Sequence, residues 1–351
     1  MAGPLPRHLL PDTAEIGPDG NTAVGGCDLV DLANQWGTPL FVYDEDHLRS
    51  RCREAVAAFG GGVAYASKAF LCSAMARLAH EEGLQLDVAT GGELFLARRA
   101  GVPGNRLVLH GNNKSDAELA MAVDEGVGRI VVDSFDELDR LEALHSATGV
   151  VPRVLLRVTP GVEVHTHEFI ATGQDDSKFG FTVKGGLADS AVRRASASTA
   201  VDLVGLHAHI GSQVFDVEPF ARAIDVLAAF AAPYDLPELS VGGGLGVPYV
   251  EGESAPTIGE WADAIHKACV QAGVTSEVTA EPGRAIVAAA AITLYRVGTI
   301  KDLPGLRTYV AVDGGMSDNP RPVLYGSGYE TFLPRAGDAA RPRVVRGVGK
   351  H

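Results

Sequence analysis

From residue 61 onward the chain alternates between short apolar runs and longer stretches carrying an apolar stripe. The runs at 62–67, 84–89, 106–110, 129–133, 153–158, 203–210, 238–242 and 277–281 are strand-like. Several are apolar at successive positions, as in strands buried on both faces. Amphipathic stretches at 70–82, 92–100, 115–125, 135–147, 217–231 and 258–272 lie between most of them and predict helices. Eight βα-units over roughly 220–230 residues predict an α/β fold of the (β/α)8 TIM-barrel type. A doubly wound open sheet is the alternative, but no G-x-G-x-x-G stands at a first strand-to-helix turn.

After Pro282 the pattern changes. Residues 291–300 and 308–313 are β-rich with no crossover helix between them, which predicts a second, β-rich domain. Upstream, residues 1–36 are punctuated by Pro and Gly and are expected to be irregular, apart from a short helix at 28–36. Residues 39–43 (PLFVY) predict a strand that could join the β-domain, and Asp44, Glu45 and Asp46 supply capping acids for a helix running to about residue 58. The expected division is therefore 1–36 irregular, 37–60 leading in, 61–288 the barrel, and 289–351 the start of a C-terminal β-domain. The Ala- and Ser-rich stretch 191–200 reads as solvated helix or loop without further message.

Composition narrows the function. Hydrophobic content of 46% and charged content of 21% suit a globular protein with a sizeable core. Thirty basic against 44 acidic residues give −14, which argues against a nucleic-acid or anionic-membrane partner and for a cytoplasmic protein. Cys27, Cys52, Cys72 and Cys269 lack CxxC spacing and read as reduced thiols, with no metal site expected. The N-terminal stretch has no apolar core of signal-peptide length.

Polar groups recur at the C-terminal ends of the predicted strands, where a barrel carries its chemistry. Lys68 follows the first strand and Asp87 closes the second; His110 with Asn112 and Asn113 follows the third, and Arg157 closes the fifth. His207, His209, Gly211 and Ser212 close the sixth, Gly242, Gly243 and Gly244 the seventh, and Glu281, Pro282, Gly283 and Arg284 the eighth. A strand-end lysine lowered in pKa by desolvation is a Schiff-base nucleophile. Glycine-rich loops after strands seven and eight can bring bare N–H groups to a phosphate, with Ser212 as hydroxyl donor and Arg284 as counter-charge. Together these suggest pyridoxal phosphate, with Glu281 as the acid at its pyridine nitrogen. Each residue also has a plainer reading. Lys68 could be a solvated loop lysine, the triple glycine a turn, Asp87 a helix N-cap, and Arg157 the partner of a neighbouring carboxylate. The His-Ala-His pair could grip a metal, since alternate strand residues share a face, although no third ligand is spaced to match. His209 could equally stack on a cofactor ring.

The segments Tyr65–Lys68, His209–Ser212, Val241–Gly244 and Glu281–Arg284 resemble the pyridoxal-phosphate decarboxylases that act on basic amino acids, built on an alanine-racemase-like barrel. The run 313–326 (DGGMSDNPRPVLYG) is similar to the diaminopimelate decarboxylase branch of that family, and 177–180 (SKFG) fits it too. The resemblance covers roughly residues 25 to 351. It implies decarboxylation of meso-2,6-diaminopimelate to L-lysine and CO2, the last step of bacterial lysine synthesis. Lys68 would hold the cofactor as a Schiff base, with His209 stacked on the ring. Ser212, Gly244 and the Glu281–Arg284 loop would hold the phosphate end, with Glu281 also reaching the pyridine nitrogen. Arg284, Arg321 and Tyr325 would bind the substrate's carboxylates, which call for forked cationic donors. A decarboxylase of ornithine, or of a carboxylated polyamine, is the rival within this chemistry. A racemase is disfavoured by Glu rather than Arg at position 281.

The same resemblance implies a homodimer. In that family the second domain runs past a Gly-Lys-His into a Cys-Glu-Ser segment that reaches the partner's site, the Cys as proton donor and the Glu for the substrate's far amino group. Beyond it lies a Tyr that helps hold the phosphate. Here Gly349-Lys350-His351 ends the sequence. A fragment of a longer protein is the expectation, with a nearly complete cofactor site and an incomplete substrate site. A non-catalytic cofactor-binding relative is the rival of another class.

Overall fold

A computed structural model describes residues 5–162, 177–339 and 345–349. Lys350 and His351 of the terminal Gly-Lys-His lie outside the described residues. The chain forms two compact units, one of Arg51–Gly246 with Ala255–Ile286, the other of Met1–Ser50, Val247–Ser254 and Val287–His351.

The first unit carries eight consecutive parallel strands: β1 (Ala64–Ala66), β2 (Gln85–Val88), β3 (Leu107–Leu109), β4 (Arg129–Val132), β5 (Arg153–Thr159), β6 (Asp202–His207), β7 (Glu238–Ser240) and β8 (Glu277–Thr279). Neighbours in sequence are neighbours in the sheet. The first and last strands also meet, because the Ala64 N–H donates to Ala280 O at 3.0 Å and the Ala66 N–H to Pro282 O at 3.1 Å. The sheet therefore closes, which removes the exposed edges an open sheet would leave. Crossover helices are α1 (Ser73–Glu81), α2 (Gly91–Arg99), α3 (Asp116–Asp124), α4 (Phe135–Thr148), α5 (Leu187–Ala197), α6 (Glu218–Ala231) and α7 (Ile258–Gln271), with a single turn α8 (Arg284–Val287) after β8. Their starts are capped by short polar side chains. Thr90 and Ser134 accept an N–H of the first turn, and Ser115 with Glu118 and Thr257 with Glu260 form full capping boxes.

Both faces of these strands are covered, which is why they read as continuous apolar runs. Leu86, Leu107, Leu109, Ile130 and Val132 are sealed from water. Val108, Val131, Leu155 and Val204 pack together inside the barrel. Two residues further along three of these strands stand His110, Asp133 and Arg157, on the same inward face by strand alternation. Each apolar plug is thus followed by a polar group at the C-terminal mouth. Strand β6 reaches the same result through a bulge. Leu203 pairs with Val154 and Gly205 with Leu155, so Val204 is an extra residue. The insertion lets Val204 and His207, three apart, both face inward, which strict alternation forbids.

Helix α5 differs from the sequence expectation for 191–200. It is a crossover helix with one face buried, Ala188, Ala191, Val192 and Ala195 packing inward.

In the second unit, Leu40–Tyr43 pairs antiparallel with Ala291–Leu294. Val297–Leu303, Arg307–Val312 and Val345–Val348 make a three-stranded sheet. Residues expected to be irregular carry a small antiparallel sheet of Glu15–Ile16, Thr22–Val24 and Cys27–Asp28. These strands are two or three residues long, too short for a period to register in sequence. Asp28 caps the helix Leu29–Trp36 by accepting the Val30 and Asp31 N–H groups. Val24, Leu29 and Leu294 form this unit's buried cluster. Among the described residues no helix is long and apolar enough to cross a membrane.

Candidate active site

The strand-end residues converge at the C-terminal mouth of the barrel. Lys68 lies in a tight turn, Ser67–Ala69, directly after β1. The Tyr65 hydroxyl pins this turn by donating to Phe70 O at 2.6 Å. Lys68 is exposed rather than buried. Charged and polar groups surround it instead, since Asp87, His110 and His209 all feel its charge. Asp87 points into the barrel and is buried; the cap of α2 is Thr90, so the N-cap reading of Asp87 does not hold. Burial raises the Asp87 carboxyl above the usual range, against the pull of His110 and Lys68.

Glu281 is the centre of the arrangement. It is only 7% exposed and is approached by three side chains. His207 Nε2 lies 2.9 Å from Oε2, Ser240 Oγ donates to Oε1 at 3.1 Å, and His110 Nε2 lies 3.3 Å from Oε1 and 3.7 Å from Asp87 Oδ1. The His110 contact has ion-pair distance but not hydrogen-bond direction. Burial alone would raise the Glu281 carboxyl; the His110 and His207 imidazoles outweigh it and hold it well below the usual carboxylate range. Burial lowers His207 to about 4, so that ring is neutral and donates from Nε2. His110 goes the other way. Burial lowers it, but Asp87 and Glu281 together lift it above the ordinary histidine value.

His110 Nε2, His207 Nε2 and a Glu281 oxygen lie within 4.8 Å of one another, a spacing a metal ion could bridge. The 2.9 Å contact is that of a shared proton between imidazole and carboxylate, and both rings address the same acid. The His-Ala-His pair does not act together. His209 turns away, and its Nδ1 accepts the Gly243 N–H at 3.1 Å. That contact leaves the proton of the neutral His209 ring on Nε2. Burial, then the charges of Lys68 and Arg157, push His209 well below its ordinary value.

The loops after β6, β7 and β8 lie side by side. Ser212 Oγ accepts from Arg284 Nη2 at 3.3 Å. The triple glycine is not three open donors. The Gly242 N–H goes to Ser240 Oγ and the Gly243 N–H to His209, while the Gly244 N–H has no acceptor among the described residues. What demands glycine is chain packing. A Cβ on Gly243 would stand 2.3 Å from Glu281 O, and one on Gly244 2.3 Å from Gly211 O, at φ +118. Gly283 is less tight but still crowded, its Cβ position 2.9 Å from the Ala66 Cβ.

Behind the mouth lies a network that no sequence signal marks. Lys114 and Glu137 are a buried ion pair, Nζ donating to Glu137 Oε1 at 2.7 Å and to the Gly111 and Val131 carbonyls. Glu137 Oε2 accepts the Asp133 N–H, and Asp133 Oδ1 accepts the Gly180 N–H at 2.6 Å. Arg157 is buried with its guanidinium 4.1 Å above the Phe179 ring, and the nearest charges are Asp133, Glu281 and Asp87. Asn112 and Asn113, which stand beside His110 in sequence, are exposed. A cavity of about 180 Å³ opens at the opposite, N-terminal end of the barrel between Gly62, Arg129 and Glu277, and reaches Ser240 and Glu281 from below. Arg321 and Tyr325 belong to the second unit, where the Arg321 guanidinium lies 5.2 Å from the Tyr249 ring and 5.3 Å from the Tyr325 ring.

Known proteins resemble this chain in sequence and fold. The family described as the pyridoxal binding domain of pyridoxal-dependent decarboxylases matches residues 45–288. Diaminopimelate decarboxylase of Mycobacterium tuberculosis is 49% identical over 99% of this chain and 81% of its own length. The Bacillus subtilis enzyme of that name is 43% identical over 97% of this chain and 82% of its own. Among solved structures, diaminopimelate decarboxylase from M. jannaschii in complex with L-lysine superposes with a TM-score of 0.84 at 34% identity, covering 91% of this chain and 77% of that one.

Proposed function

The chain belongs to the diaminopimelate decarboxylase family of pyridoxal-dependent enzymes, and we infer that it releases CO2 from meso-2,6-diaminopimelate to leave L-lysine, the final step of lysine biosynthesis. The observation that carries this reading is Glu281, a buried carboxylate at the end of the last barrel strand held ionised by two imidazoles. Such an acid matches a pyridine nitrogen that must stay protonated. When bound, pyridoxal phosphate supplies an electron-withdrawing ring that takes up the electron pair left by departing CO2.

The residues present fit that group. Lys68 offers an accessible primary amine at the barrel mouth, and Glu281 offers a fixed anion. His209 presents a neutral imidazole, which can lie against an aromatic ring without repelling it. The Gly244 N–H, Ser212 Oγ and the Arg284 guanidinium supply donors for a phosphate, with Gly242, Gly243, Pro282 and Gly283 shaping the floor beneath them. We assign Lys68, His209 and Glu281 the catalytic roles, and Asp87 a charge beside Lys68 and His110. Arg284, Arg321 and Tyr325 are assigned to the substrate's carboxylates on the family resemblance; guanidinium forks suit a substrate that carries two. We propose a homodimer on the same resemblance, and a cytoplasmic setting on the acidic net charge of −14.

The test is to add pyridoxal phosphate to the purified protein and to Lys68→Ala, follow the absorbance, and then supply meso-diaminopimelate or ornithine while measuring CO2 and amine products. Cofactor absorbance that requires Lys68, lysine formed from diaminopimelate, and little product from ornithine are expected. Preferential turnover of ornithine would overturn the substrate assignment, and a cofactor spectrum indifferent to Lys68→Ala would overturn the lysine's role.

A further inference from the structure

We propose that His110 and His207 are positioning residues for Glu281, gripping its carboxylate from two strands so that one oxygen lone pair is left, charged and fixed, for the cofactor's pyridine nitrogen. This rests on the reading of Glu281 given above. The two histidines reach it from β6 and from the residue after β3, and neither touches Lys68, Ser212 or the glycine loops by any contact described above.

An ionised carboxylate offers about four lone-pair positions. His207 fills one on Oε2 and Ser240 one on Oε1, while the His110 imidazole lies against Oε1. Oε2 is left with one position. The two rings are packed edge to face, centroids 4.9 Å apart, so neither can swing without moving the other. His207 is registered beside Arg157 and Ser240 by the strand pairing, and the bulge at Leu203/Gly205 is what turns it inward.

The two rings do different work. His207 is neutral and donates one hydrogen bond, which fixes direction. His110 sits between Glu281 and Asp87, and its charge offsets the cost of keeping an anion in a dry barrel. The groups facing His110 are Asp87 on β2, Glu281 after β8 and Lys68 after β1, with the His207 ring edge-on and Asp133 also feeling its charge. A cation shared between two carboxylates loses its proton at higher pH than an isolated histidine. The grip is therefore strongest below that raised titration and weakens as pH rises through it.

The experiment uses the full chain without cofactor. Ring-labelled histidines are titrated by NMR from pH 5.5 to 9.5, with His110→Gln and His207→Gln to assign them. Pyridoxal phosphate affinity is measured by fluorescence at each pH. His110 is expected to titrate above the ordinary histidine range and to fall back in Glu281→Gln, while His207 stays neutral throughout. His207→Gln is expected to weaken cofactor binding about tenfold at pH 7.5, the scale of one lost hydrogen bond to a charged group, and His110→Gln to weaken it through the lost charge. Ser240→Ala, which leaves both rings in place, guards against misfolded histidine variants and is expected to weaken binding by a smaller factor. A His110 that titrates in the ordinary range, or that ignores Glu281→Gln, overturns the proposal. If His110 responds to Glu281→Gln but cofactor affinity does not, the grip stands and the assignment of Glu281 to the pyridine nitrogen fails.

Discussion

At the scale of single residues, the site is built from groups that would be costly if left alone. His207 shows this through pH. Its native value is lowered from 6.5 to about 4. Below 6.5 the unfolded chain takes up a proton that the native state refuses, so the stability His207 contributes is whole above 6.5 and lost as pH falls through 4. Linkage puts the loss at roughly 3 kcal/mol. Urea midpoints measured from pH 7.5 to 4 should therefore fall, and His207→Gln should make the fall shallower; an unchanged slope in that variant would contradict the burial of a neutral ring. His110 carries the opposite sign, its contribution being present below 6.5 and lost as pH rises through its raised value. Lys114 and Glu137 are a different case. Each is 1% exposed at the side chain, and Glu137→Gln would strand the ammonium with carbonyl partners only. Breaking a buried pair from one side costs about 3–5 kcal/mol. Urea unfolding of Glu137→Gln should show that loss, and Lys114→Met with Glu137→Leu together should recover a good part of it.

Among the elements, the barrel was legible because strands covered on both faces have nowhere to place polar residues until they end. That one constraint yields both the eight apolar runs and the polar groups at their termini. It also explains why Lys68, Asp87, His209 and Glu281 could be singled out from the sequence. Where side chains carry little hydrophobic contrast, the period was present but quiet. Positions 188, 191, 192 and 195 follow helical spacing, yet three of them are alanines, and the stretch reads as solvated. The Lys114–Glu137–Asp133 network was illegible for another reason. It joins the β3–α3 loop, α4 and the residue after β4, and only tertiary contact reveals it. The bulge in β6 is equally silent, since an extra residue inside an apolar run changes no pattern. It nonetheless has a sharp requirement. A Cβ on Gly205 would stand 2.1 Å from the Glu238 carbonyl oxygen of β7. Gly205→Ala should force β6 from β7, at a cost of about 1–3 kcal/mol or more, and should weaken pyridoxal phosphate binding through His207. A variant with wild-type stability and wild-type cofactor affinity would show that the bulge does not set the direction of His207.

Across the whole molecule, the net charge of −14 and the chemistry of the barrel mouth point in opposite directions. The chain as a whole repels an anionic cofactor, while Lys68, Arg157 and Arg284 stand near the groups that would meet it. Screening decides between them. At physiological salt the Debye length is about 8 Å, so charges spread over the surface act weakly and the local cations act at full strength. A ligand that binds only the folded barrel must then stabilise it by mass action, by roughly 2.7 kcal/mol at a hundredfold excess over its dissociation constant. Thermal unfolding of the barrel unit should move upward on adding pyridoxal phosphate, and amides at 209–212, 242–244 and 281–284 should exchange more slowly. Lys68→Ala separates the two sources of that gain, because it removes the amine while leaving Ser212, Arg284 and the Gly244 N–H in place. A smaller but real rise in Lys68→Ala would mean that the phosphate end is bound independently of the lysine. A rise lost altogether would mean that attachment through Lys68 supplies nearly all of the affinity, and that the cradle after β6 to β8 serves orientation more than binding.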